Sequence, residues 1–277
     1  MSRILQLLHV FSLDVVLAAM AMSAWVFFAH NAPLNGPLIF SLGFFVWAIY
    51  LFDHAFDAER LPSLGFRRKT HFKNRKGFWG LGAFALICAA GLYIPFMPLL
   101  SRTSGLFLAF TLFLILCYFG IGLLPPLKRL QGHKEFFLPP GYTFGVALPF
   151  VCSQNQPLPD ALFLFGISLL VLQSILLLAK LDAQEDALEN NSTCLQKQPT
   201  MQFSIVFGVC SALWLGIAVL APKTDSKMFW VGLAPWTLQG LFFLKPQVFT
   251  GWKTRSAIEW SLCLPGLILA LLKARIF

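Results

Sequence analysis

Residues 51–60, LFDHAFDAER, follow directly on an apolar run, residues 37–50, and precede the most basic loop of the chain. Asp53 and Asp57 are four residues apart, so on a continuous helix their carboxylates lie one turn apart on one face. Two like charges at the edge of hydrocarbon are unfavourable unless a cation, a base or water stabilises them. This acidic turn is therefore a candidate functional site, and capping of a helix end beside Arg60 is the alternative role.

The composition is typical of a protein embedded in a membrane. Hydrophobic residues make up 57% of the 277 residues, charged residues only 12%, and the mean hydropathy is +0.72. A soluble domain carries about 25% charged residues. The length leaves room for roughly nine spans of ~20 residues and for no soluble domain. Residues 1–277 are therefore predicted to form one transmembrane domain, with membrane lipids and not nucleic acid as partners.

The apolar runs predict an all-α, polytopic fold with about nine transmembrane helices. The fifth and eighth runs are short or interrupted by Pro and Gly, which makes their boundaries the least defined. The nine predicted spans are residues 4–28, 37–56, 78–96, 106–124, 136–151, 161–181, 203–220, 228–244 and 257–272.

The distribution of Lys and Arg predicts the orientation. With nine spans, 16 of the 21 Lys and Arg residues fall on the side of the N-terminus, against five on the other. The positive-inside rule makes the first side cytoplasmic. We therefore predict a multi-pass protein of the bacterial inner membrane with both acidic motifs on the cytoplasmic side. The basic loop at residues 67–76 is interpreted as a topology anchor that contacts anionic lipids.

A second acidic turn ends the sixth predicted span. Asp182, Glu185 and Asp186 occupy positions i, i+3 and i+4 and share one helical face. Span counting places this turn on the same side of the membrane as Asp53 and Asp57. Glu185 is also typical of a solvated helix face, so its role is the least defined of these three residues.

Two acidic turns on one side of a membrane are suited to binding a diphosphate through Mg²⁺, which is usually held by one or two carboxylates, substrate phosphates and water. The predicted catalytic and metal-binding residues are Asp53, Asp57, Asp182 and Asp186. Basic side chains neutralise phosphate oxygens and stabilise departing pyrophosphate. The predicted diphosphate-binding residues are Arg60, Lys128, Arg129, Lys134 and Lys180. Anchoring at the membrane surface is the alternative role of Lys128 and Arg129.

The chain resembles the UbiA-type intramembrane prenyltransferases in its nine predicted helices and in acidic motifs after helices two and six. The first family motif is approximately NDxxDxxxD. Asp53 matches its first Asp, whereas Phe52 replaces the Asn, Asp57 falls one residue late and Arg60 stands at the last Asp. In the second motif, DxxxD, both acidic positions are matched, by Asp182 and Asp186. A family Tyr-to-Lys pattern after helix four is echoed by Tyr118 and Lys128.

The resemblance implies a helical bundle around a central cavity that opens toward lipid. It also implies transfer of a prenyl group from a polyprenyl diphosphate to a lipophilic, often aromatic acceptor with Mg²⁺. Asp14, Asp57 or Glu59 is the candidate base that activates the acceptor. Asp14 lies about ten residues inside the first span, so it must face the protein interior or water. A hydrogen bond between helices is its alternative role.

Two other functions remain open from the sequence. In a small secondary transporter the acidic pairs bind ions, which predicts inverted repeats and acidic groups near the midplane. No repeat stands out, and only Asp14 is deep. The other function is that of a catalytically silent family member. Such a protein would bind lipid or diphosphate but, because its first motif is altered, would not turn it over.

Overall fold

In a computed structural model, the described part of the chain is helical. The structure describes the backbone of residues 3–60, 66–123, 137–153, 159–188, 200–220, 226–244 and 252–274, and no strand occurs in these ranges. It contains twelve α-helices and a 3-10 helix, Ile94–Leu99, that continues α5. The α-helices are α1 Arg3–Val10, α2 Leu13–Ala29, α3 Gly36–Arg60, α4 Phe66–Lys73, α5 Arg75–Tyr93, α6 Arg102–Leu123, α7 Leu138–Ser153, α8 Ala161–Leu188, α9 Thr200–Leu220, α10 Ser226–Leu244, α11 Trp252–Ser261 and α12 Leu264–Ala274.

The predicted all-helical fold is confirmed, and the nine-span count stays a prediction. Each predicted apolar segment lies on one helix or on two consecutive helices. Within the described residues, four stretches are long and apolar enough to cross a membrane. These are Gly36–Phe56, Arg75–Leu99, Arg102–Ile121 and Ala161–Leu181. Three shorter apolar helices, Leu13–Ala29, Ser204–Ile217 and Val231–Leu244, are compatible with the same setting.

The first and last predicted spans differ from the expectation of single helices. Residues 4–28 form α1 and α2, with a break at Phe11 and Ser12. Residues 257–272 form α11 and α12, with a break at Leu262 and Cys263. The basic loop also contains a short helix, α4, which packs against α3.

Helix α2 lies at the centre of the molecule. It packs against α1, α3, α7, α11 and α12. Its side chains are buried on nearly every face, including Met22, Trp25 and Phe27. A helix that is apolar on all faces belongs in the interior of a bundle. Helix α2 is therefore the central helix against which these five helices pack.

Side chains of α3 and α4 hold the break between α1 and α2. The indole N–H of Trp47 donates to the carbonyl of Phe11 at 2.9 Å, and His71 Nε2 donates to the carbonyl of Val10 at 2.8 Å. His54 Nε2 lies 2.8 Å from the hydroxyl of Ser12, which has a left-handed backbone with φ of 55°. These contacts satisfy backbone groups that a helix end leaves without partners. They fix the position of the residues on both sides of the break.

Candidate functional site

An apolar cavity of about 310 Å³ lies among α3, α5, α6, α7 and the 3-10 helix. Along α3 it runs from Leu38 to Tyr50, a distance of about 18 Å at 1.5 Å per residue. All four tyrosines of the chain line it, Tyr50, Tyr93, Tyr118 and Tyr142. The cavity therefore has the shape and lining for a long apolar chain next to aromatic rings.

The polar groups of the cavity wall are mostly engaged within the protein. Ser41 donates to the carbonyl of Ala89 at 2.8 Å, and Thr111 donates to the carbonyl of Phe107 at 2.9 Å. The Tyr93 hydroxyl lies 3.2 Å from Cys152 Sγ. Because these groups are satisfied internally, they present little polarity to a ligand. The wall is suited to hydrocarbon along most of its length.

The cavity opens along α5 and α6. Leu86 on α5 and Leu112 on α6 line it and are also 41% and 39% exposed. The same two helices carry further exposed apolar side chains, among them Ile87 and Leu116. Large exposed apolar surfaces mark binding or membrane-facing regions. The side of the cavity formed by α5 and α6 is therefore the side from which an apolar ligand would enter it.

The first acidic turn lies at one end of the cavity. The Tyr118 hydroxyl, which lines the cavity, donates to Asp53 Oδ1 at 3.4 Å. Two residues that the sequence singled out are thus brought together by α3 and α6. Asp57, Glu59 and Arg60 lie within the last turns of α3, but their side chains are outside the described part of the structure.

The second acidic turn lies near the end of α8. Asp182, Glu185 and Asp186 belong to this helix, and their side chains fall outside the described residues. Lys180 is exposed, with Nζ 5.2 Å from the ring centroid of Phe243. The predicted phosphate-binding residues Lys128, Arg129 and Lys134 also lie outside the residues that the structure describes. The clamp between the two turns therefore stays a prediction.

A second polar cluster forms where the broken helices meet. Asp14, which was predicted to face the protein interior or water, is fully buried, and its Oδ2 lies 2.8 Å from His9 Nδ1, so that it joins α2 to α1. Glu259 of α11 contributes the third group, with Oε2 3.6 Å from His9 Nδ1. The sequence identified Asp14 by its depth, but it gave no sign that His9 and Glu259 meet it.

The two polar sites differ in what they can do chemically. The Asp53 end joins a carboxylate and a hydroxyl to an apolar cavity, so it suits a ligand with one charged end and a hydrocarbon tail. The His9, Asp14 and Glu259 cluster is closed off by protein on nearly all sides. No protein family, curated protein or solved structure matches this chain.

Proposed function

We propose that the protein is an integral membrane prenyltransferase of the UbiA type. It moves a prenyl group from a polyprenyl diphosphate to a lipophilic, aromatic acceptor. The observation that carries the proposal is the apolar cavity whose end holds the Tyr118–Asp53 contact. In this proposal the prenyl tail fills the cavity and its diphosphate lies beside Asp53.

The residues of the acidic turns fit a magnesium-bound diphosphate. Asp53, Asp57, Asp182 and Asp186 offer hard carboxylate oxygens, the ligands that Mg²⁺ prefers. When bound, Mg²⁺ would neutralise the diphosphate and favour its departure as pyrophosphate. Tyr118 orients the Asp53 carboxylate through its hydroxyl.

The cavity wall supports the same chemistry. Departure of pyrophosphate from an allylic carbon leaves a carbocation, which water would quench. The apolar lining excludes water from the prenyl tail. Aromatic faces stabilise a nearby positive charge by about 0.5–2 kcal/mol, and the tyrosine rings of the wall provide such faces. The transfer is completed when the acceptor carbon bonds to the cation and its proton passes to a base, for which Asp57 or Glu59 of the first acidic turn is the candidate.

Binding of a labelled polyprenyl diphosphate to the purified protein in detergent tests the proposal. Farnesyl and geranylgeranyl diphosphate are compared with and without Mg²⁺. We expect binding that depends on Mg²⁺ in the wild-type protein. We also expect a loss of at least about tenfold in Asp53→Asn and in Asp182→Asn, because each removes a charged ligand worth more than about 1.4 kcal/mol.

Asp160→Asn is the matched control, because Asp160 is an acidic residue next to α8 at the end away from Asp182. It should bind like the wild type. Absence of any binding that responds to Mg²⁺ in the wild-type protein would overturn the proposal. Undiminished binding in both aspartate variants would place the diphosphate elsewhere.

A silent, lipid-binding member of the same family is the second candidate. Its support is the departure from the family motif at residue 60, where an arginine replaces an aspartate. Both candidates predict binding, so the release of pyrophosphate separates them. We expect release when an aromatic acceptor is added, and binding without release would favour the silent member.

A further inference from the structure

We propose that His9, Asp14 and Glu259 bind a divalent transition-metal ion, at a site separate from the diphosphate site. The three residues come from three helices, α1, α2 and α11. Their ligand atoms, one imidazole nitrogen and two carboxylate oxygens, all lie within 4.8 Å of one another. All three side chains are buried. The proposal does not depend on the prenyltransferase function.

Each carboxylate directs one oxygen toward the same point. Asp14 Oδ1 accepts the backbone N–H of Val15 at 3.1 Å, and Oδ2 faces His9. Glu259 Oε1 lies 3.5 Å from Arg255 Nε, and Oε2 faces His9. The contacts of the outer oxygens orient the inner ones, as outer-shell partners do in metal sites.

Glu259 Oε2 is the atom that most directly indicates a missing ligand. The Glu259 side chain is only 8% exposed. As a carboxylate oxygen it can only accept hydrogen bonds, and its polar neighbours among the described residues, His9 and Asp14, form none of good geometry with it. His9 Nδ1 lies 3.6 Å from Glu259 Oε2, which is too long for a hydrogen bond. A buried acceptor of this kind is costly unless a proton or a metal binds it.

The separation between His9 and Glu259 fits two ligands of one metal ion, whereas His9 and Asp14 are in direct contact. Ligands about 2.0–2.2 Å from a tetrahedral zinc ion lie roughly 3.3–3.6 Å apart. From His9 Nδ1, Glu259 Oε2 at 3.6 Å lies at the upper limit of that range, and Asp14 Oδ2 at 2.8 Å lies closer, at hydrogen-bond distance. A mixed imidazole and carboxylate set is typical of Zn²⁺ and other first-row divalent ions.

The charges near the site are consistent with a divalent ion. Asp14 and Glu259 supply two negative charges, which a divalent ion neutralises when His9 is neutral. Arg255 adds a positive charge, but its side chain contacts the outer oxygen and is 24% exposed, so solvent screens it.

Metal binding to the untagged protein in detergent tests the proposal. The protein is stripped with chelator, reloaded with Zn²⁺ or Co²⁺, and its metal content is measured after gel filtration. We expect one equivalent in the wild-type protein. We expect the apparent affinity to fall by more than about 100-fold in His9→Gln, Asp14→Asn and Glu259→Gln, because loss of an outer-shell partner alone costs 10–100-fold.

Asp160→Asn is again the control and should retain the metal. X-ray absorption at the zinc edge of the wild-type protein adds a measurement that needs no variant to fold. It should show one imidazole nitrogen and carboxylate oxygens in the first coordination shell. Failure of the wild-type protein to bind either ion would overturn the proposal, as would a shell of sulfur atoms.

Discussion

Asn31 shows how one residue ends the central helix. Its backbone is left-handed, with φ of 52°, and the N–H of Ala32 closes the helix end on the carbonyl of Phe27. Glycine adopts this conformation freely, whereas a residue with a Cβ is strained by about 1–2 kcal/mol, less for Asn. We expect Asn31→Gly to raise the free energy of unfolding by up to about 1 kcal/mol and Asn31→Ala to lower it by about 1 kcal/mol. Thermal unfolding in detergent measures both, and a destabilised glycine variant would contradict the reasoning.

Asp14 and Glu259 show how much of a buried contact can be predicted from single residues of the sequence. A carboxylate inside an apolar run must find a partner, so Asp14 could be predicted to face the interior. Its partners could not be predicted, because Glu259 lies far away in the chain and comes close only through the packing of α11 on α2. The contact of His9 with Asp14 could not be predicted either, because the helix break between them has no Pro or Gly at Phe11 and Ser12.

At the scale of helices, the packing of α12 on α2 depends on Gly266. A Cβ at this position would meet the backbone carbonyl of Ala21, which cannot move like the end of a flexible side chain. Overpacking of this kind costs about 1–3 kcal/mol. We expect Gly266→Ala to lower the free energy of unfolding by this amount, measured by thermal unfolding in detergent.

Gly216→Ala is the matched control for Gly266→Ala. Gly216 lies in α9, and a Cβ there has nothing within 4 Å. Alanine is a better helix former than glycine by about 0.8–1 kcal/mol, so this variant should be neutral or more stable. If the two substitutions change the free energy of unfolding equally, the close packing of α12 on α2 at Gly266 does not explain the loss of stability.

Most of the helices could be predicted from the sequence. Of the two breaks, between α1 and α2 and between α11 and α12, only the second is marked by a residue in the sequence. Runs of apolar residues located every long helix, because hydrocarbon and a buried core both select such runs. Pro265, near the start of α12, marks the second break, since Pro is favoured in the first turn of a helix. The first break depends on contacts from Trp47, His54 and His71, which no local pattern indicates.

At the scale of the whole molecule, the cavity could be expected only through the family resemblance. Its walls come from four α-helices and the 3-10 helix, and which helices leave a gap between them depends on side-chain packing that spacing along the chain does not encode. The sequence did place Asp53 and Tyr118 as candidates, and the fold brings them together at the cavity end. The sidedness of the acidic turns stays a prediction, because coordinates of the protein alone do not define the two sides of a membrane.

The width of the cavity gives the last prediction, which rests on the proposed function. Gly145 of α7 lines the cavity, and a Cβ there has nothing within 4 Å. A phenylalanine at this position would project into the space for the prenyl tail. We expect Gly145→Phe to weaken binding of geranylgeranyl diphosphate by at least about tenfold, or 1.4 kcal/mol, and to weaken farnesyl diphosphate less.

Gly208→Phe is the control for the narrowed cavity, because Gly208 is exposed on α9, outside the cavity lining, and a Cβ there also has nothing within 4 Å. It should bind both diphosphates like the wild type. Competition against a labelled ligand, with both variants at matched melting temperature, separates loss of space from loss of fold. If Gly145→Phe binds the longer ligand as tightly as the wild type does, the prenyl tail lies elsewhere. In that case the contact between Tyr118 and Asp53 would have to serve a ligand whose tail does not enter the cavity.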